Sequence, residues 1–135
     1  MDAEYAQELL KILVENSARI LRAGFGVDRA ESAFFDVIAL LREESSLKNG
    51  FLAMVERSLE ERSPSGLHEG GVPRELLELA AHELRWPELR ELAAARVHRF
   101  FGGNEALAIS DVSRSVGEAY RDDWEDREFY QRYEA

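Results

Sequence analysis

Between Arg74 and Phe101 the chain writes the pattern ELxELAA twice, at Glu75 to Ala81 and at Glu88 to Ala94, with Trp86-Pro87 between the copies. Proline has no N–H and pushes the residue before it out of the α conformation, so Trp86 marks a break between two helices. The segment therefore reads as helix, corner, helix. The copies are spaced by 13 residues, far short of the roughly 34 to 47 of helical-pair repeats, so they are not read as a solenoid. Ala, Leu, Glu and Arg are strong helix formers, and two amphipathic helices built from them resemble each other by composition alone.

Helical periodicity continues on both sides. Tyr5, Leu9, Ile12, Leu13 and Ile20 recur three or four apart and predict an amphipathic helix over about residues 3–23, with those side chains inward. Gly24 offers the stop, and Asp28 with Glu31 three residues on predicts the N-cap of a second helix that buries Phe34, Val37, Ile38 and Leu41. Asn49-Gly50 predicts a turn, followed by a third helix over about residues 51–62. Residues 63–72 are rich in Ser, Pro and Gly and read as a flexible loop. Pro73 suits a helix start, Gly102-Gly103 a stop, and Asn104 the cap of a short turn. Ser110 to Tyr120 predicts a further helix with Val112, Val116 and Tyr120 inward.

No segment alternates with a period of two between hairpin turns, which argues against a sheet. The expected fold is all-α, with six or seven helices in an irregular bundle or a short stack of antiparallel pairs, forming one domain over residues 1–135. A length of 135 residues with 45% hydrophobic content is enough for one real core.

Charge and chemistry narrow the function. A net charge of −10 disfavours nucleic acid and anionic membrane, whose affinity comes from Lys and Arg, and favours a basic protein partner. The chain has no cysteine, so disulfides and thiolate chemistry are excluded and a cytoplasmic location is expected. No apolar run approaches a membrane span.

Glu78 and His82 are four apart on one helix, and His98 lies on the next, a weak resemblance to a metal site with too few ligands. His68 stands in the Gly-rich loop without a nucleophile beside it. Asp122 to Asp126 clusters carboxylates but lacks the alternation and central Gly of a calcium loop. No catalytic residue, metal site or cofactor is assigned.

The binding candidate is the C-terminal segment, 118–135, where acids interleave with aromatic rings. Asp122, Asp123, Trp124, Asp126, Tyr130 and Tyr133 are the expected partner-contacting residues, because Trp and Tyr supply buried area with a polar handle and the acids select a basic partner. Trp124, Phe129 and Tyr133 have a second reading, as rings that close the last helix onto the core. The expected function is a non-catalytic acidic protein-binding domain of inhibitor, immunity-like or adaptor type. A self-associating structural subunit is the alternative, and a metal-dependent enzyme the third reading.

Overall fold

Asp2 starts the first helix, α1 (Ala3–Arg22), by accepting a hydrogen bond from the Glu4 N–H. The structure is a computed structural model and describes residues 1–62 and 70–134. Five helices follow α1: α2 (Val27–Glu43), α3 (Lys48–Leu59), α4 (Arg74–Leu84), α5 (Pro87–Phe101) and α6 (Val112–Glu118). Short 3-10 turns lie at Ser45–Leu47, Glu105–Ala108, Glu125–Phe129 and Gln131–Tyr133. Among the described residues there is no strand, so the all-α expectation and the helix count both hold.

The inward face of α1 differs from the expected one. Ala6, Leu10, Val14, Ser17 and Ala18 are buried, while Tyr5 is 66% and Ile12 50% exposed. Leu9, Leu13 and Ile20 pack half-buried at the margin. Counting only large apolar residues centred the stripe wrongly: Ala6, Ser17 and Ala18 are the small side chains at the contact, and α1 packs along α2 there.

A Schellman stop ends α1 as expected. Gly24 takes φ 94°, its N–H donates to the Leu21 carbonyl, and the Phe25 N–H donates to that of Ile20. The second helix begins earlier than expected, at Val27 with Gly26 as an N-cap that makes no side-chain bond. Asp28 sits instead in the first turn, where its charge favours the helix dipole.

Asn49-Gly50 is not a turn, because both residues lie in the first turn of α3. Gly50 faces α1, where a Cβ would meet the end of the Gln7 side chain and oblige it to move. Leu47 and Phe51 on either side are fully buried, which pulls this backbone against the neighbouring helix. Of the expected loop, residues 63–69 and with them His68 lie outside the described residues. Its far end is fixed, since Val72 is buried and its N–H donates to the Ser58 hydroxyl at 3.0 Å.

The corner forms as the sequence predicts. Trp86 is extended at φ −67° and ψ 127°, and Pro87 opens α5. Arg85 just before it is left-handed at φ 54°, the one non-glycine residue of positive φ among those described. Such a conformation costs about 1–2 kcal/mol, and its side chain offsets this by donating to the Tyr120 carbonyl at 2.7 Å and to Asp122 at 3.0 Å. The Tyr120 hydroxyl in turn donates to the Trp86 carbonyl. Trp86 is half-buried, edge-on to Phe51 with centroids 6.2 Å apart, under the Lys48 ammonium that also pairs with Glu88 at 2.8 Å. The corner is thus a folding device that ties α3, α4 and α5 to the segment after α6.

Helix α4 lies at the centre. Every residue from Leu76 to His82 is buried, as expected of a helix enclosed on most sides. That enclosure determines what Glu78 and His82 experience.

Candidate functional site

The chain after α6 folds back over α4 and α2 and locks there through its rings. Trp124 lies against the His82 imidazole at a centroid distance of 4.7 Å, tilted by 35°, and stacks with Tyr130 at 6.3 Å. Tyr130 and Tyr133 both meet Phe35 of α2 edge-on, at 6.1 and 6.2 Å. Glu31 of α2 accepts the backbone N–H groups of Gln131 and Arg132, at 2.9 and 3.2 Å, and fixes the tail by its main chain.

This packing revises the expected contact set. Trp124 and Tyr130 are 6% and 2% exposed, so neither ring is presented to a partner, and Tyr133 is half-buried. Phe129, expected as a core candidate, is instead 57% exposed. The sequence showed that rings and acids alternate but not their phase, because 3-10 turns do not follow the helical period. Asp122 and Asp123 are exposed and pair with Arg85 and Arg121 respectively, each at 3.0 Å. Asp126 is half-buried.

His82 is engaged on both ring nitrogens. Its Nδ1 stands 2.7 Å from the Ala119 carbonyl, which fixes the proton there, and Nε2 accepts from the Arg127 guanidinium. Burial, with Arg127 and Arg85 nearby against the opposing bond to Ala119, holds its pKa below the usual histidine value. The imidazole is neutral and structural, with no lone pair left for a metal. Among the described residues no three His, Asp or Glu side chains converge as a metal site.

Beside this cluster, α4, α6 and the tail enclose a cleft of about 210 Å³. Glu78, Glu118, Asp123, Glu125 and Asp126 all line it. Arg121, also in the lining, is held by Asp123 in a two-pronged pair at 3.0 and 3.1 Å. Ser115 and Trp124 complete the wall.

Glu78 distinguishes this cleft from an ordinary acidic surface. It is 7% exposed, yet its carboxyl oxygens are not among the described buried polar atoms that lack a partner. Its nearest cation is the Arg74 guanidinium, 3.8 Å away, beyond hydrogen-bond range, and that group is already bonded to the Ser115 hydroxyl. Burial first, then Asp126, Glu75 and Glu118, with Arg74 opposing, push the Glu78 pKa from 4.5 up to about 7. Asp126 is raised as well, by burial and then by Glu118 and Glu128. The cleft thus holds two carboxyls that their surroundings discourage from ionising.

A second charged centre lies where α5 meets the end of α3 and the start of α6, built on Arg96 of α5. Arg96 is 3% exposed and holds Asp111 in a two-pronged pair at 2.9 Å for both nearest contacts. Its remaining N–H groups donate to the carbonyls of Leu59 at 2.7 Å, Glu61, and Arg62 at 2.9 Å, closing the exposed end of α3. Asp111 also caps α6 by accepting from the Ser113 N–H and hydroxyl. Burial alone would raise Asp111, but the bonds from Arg96 and Ser113 outweigh it and hold its pKa down to about 2.

Neither Glu78 as a cleft residue nor Arg96 stood out in the sequence. The signal was present for both. Arg96 falls on the buried stripe of α5, three residues from Ala93 and seven from Leu89, and Glu78 lies within an almost unbroken buried run.

No protein-family model matches the chain, and no curated protein or solved structure matches it either.

Proposed function

We propose that this chain is a non-catalytic acidic helical domain that binds a basic protein, as an inhibitor, an immunity-like protein or an adaptor does. The observation that carries this reading is the cleft lined by five carboxyl groups, those of Glu78, Glu118, Asp123, Glu125 and Asp126. The net charge of −10 supports it by steering basic partners into encounter. Asp122 and the exposed Phe129 flank the same segment and supply rim contacts, a polar one and an apolar one. The absence of cysteine fits a reducing compartment, and we place the domain in the cytoplasm. No helix among the described residues is long and apolar enough to cross a membrane.

Capture on the immobilised full chain, from cells that make it, tests the proposal. The expected result is one stoichiometric basic protein retained at low salt, released at high salt, and lost when Glu118→Gln, Glu125→Gln and Asp126→Asn are combined. No stoichiometric partner, or equal retention by the triple variant, overturns it.

Self-association is the second reading, favoured by Tyr5 and Ile12, two exposed apolar side chains one heptad apart on α1. Light scattering that gives a monomer mass at every concentration removes it.

A further inference from the structure

We infer that the outer face of α1 is a twofold interface on which a second copy of this chain docks antiparallel, Glu8 of each copy facing Arg19 of the other. This deepens the self-association reading and rests on it, adding the surface, the direction and the pairing.

The face is defined by what α1 buries. Ala6, Leu10, Val14 and Ala18 turn inward, and at about 100° per residue Tyr5, Glu8, Ile12, Glu15 and Arg19 fall on the opposite side. Tyr5 is 66% and Ile12 50% exposed, and Met1 at 63% and Phe25 at 57% continue the apolar surface at the two ends of the helix. Four of the seven large apolar side chains exposed among the described residues thus lie on or beside α1. Their concentration along one helix makes this a patch and not the scatter that any surface shows.

Charge decides what covers it. The chain carries −10, so two copies repel wherever acids predominate. Helix α1 is balanced, with Glu4, Glu8 and Glu15 against Lys11, Arg19 and Arg22. The order is polar: Glu4 and Glu8 stand in its first half, Arg19 and Arg22 in its last turns. Glu8, Lys11 and Arg19 make no ion pair within the described part of their own chain. A parallel copy sets like charge on like, which is repelled, whereas an antiparallel copy sets acid on base.

The register follows from the sequence. When Glu8 faces Arg19 of the second copy, Tyr5 three residues earlier faces Arg22 three residues later. A guanidinium over a tyrosine ring is a favourable packing. Ile12 then lies within one helical turn of its counterpart across the axis, and Phe25 comes beside Met1 at the start of the other helix. The axis is twofold, so each contact is made twice. The 20 residues of α1 span about 30 Å, and one such face belongs to the small interfaces below about 1,200 Å² in total. The dimer is therefore weak and reversible. None of these residues lines the acidic cleft, so the dimer carries two copies of it.

Sedimentation velocity of the full chain, from about 1 μM to about 1 mM, tests the inference on wild type, Glu8→Arg, Arg19→Glu and the double variant, each checked for helical circular dichroism. The expected result is a reversible wild-type dimer whose association weakens about tenfold or more in either single variant. Association returns in the double variant, and also when the two single variants are mixed, because each restores both acid-base pairs. Ile12→Asp abolishes it. A monomer at every concentration overturns the inference together with the self-association reading. A dimer that both single variants and Ile12→Asp leave unchanged overturns the α1 interface alone, and self-association through another surface stands.

Discussion

Asp111 and Glu78 are both carboxyls drawn largely out of water by helix packing, yet their surroundings move them in opposite directions. Asp111 meets Arg96 and the donors at the start of α6, and is held at a pKa of about 2. Glu78 is raised to about 7, first by burial and then by the acids Asp126, Glu75 and Glu118, with Arg74 opposing. A buried charge with all its partners is a structural joint, and it fixes how α3, α5 and α6 meet. A buried carboxyl with one cation, Arg74, and several acids around it destabilises the fold when it ionises.

The largest expected effect breaks the structural half of this comparison. Arg96→Met leaves Asp111 and the carbonyls of Leu59, Glu61 and Arg62 without their donor. Loss of one partner of a buried pair costs about 3–5 kcal/mol, so urea denaturation at neutral pH is expected to show a loss of that order. A loss below about 1 kcal/mol would mean that the pair does not organise the core.

Next come the two carboxyl-to-amide changes, whose signs are opposite. Glu78 has a folded pKa above its unfolded value, so its contribution to stability is complete below about 4.5 and is lost as the pH rises through about 7. Glu78→Gln removes that loss and is expected to stabilise the protein by about 3 kcal/mol at pH 8. The gain vanishes towards pH 4.5. Asp111 has a depressed value, so its contribution is present above 3.8 and is lost as the pH falls through about 2. Asp111→Asn is expected to cost about 2 kcal/mol at neutral pH. His82, whose folded value is lowered, loses stability as the pH falls below 6.5, but it is common to wild type and both variants and cancels in the differences. Urea curves across this pH range check both signs, and a destabilised Glu78→Gln at pH 8 counts against the account.

The comparison also shows where the sequence was readable. Helix number and the Trp86-Pro87 corner followed from propensity and proline sterics, which act locally. The face of α1 was missed because Ala6, Ser17 and Ala18 bury the contact without looking hydrophobic. Trp124 was readable as a ring that closes onto the core, but the burial of Tyr130 was not, because it finds its place only against Phe35, a residue distant in the chain. Arg96 and Glu78 carry the same lesson. A charged residue on a buried stripe announces itself by position, but whether it meets a counter-charge depends on the segment that covers it. Asp111 lies 15 residues from Arg96 and provides one, whereas the tail over Glu78 brings Glu125 and Asp126 instead.

The most direct measurement is the titration of the Glu78 carboxyl in the free protein by carbon-13 NMR. A midpoint near 7 is predicted, with Gln at this position removing the signal. A midpoint near 4.5, the ordinary glutamate value, would show that Glu78 already has its partners and would contradict the account.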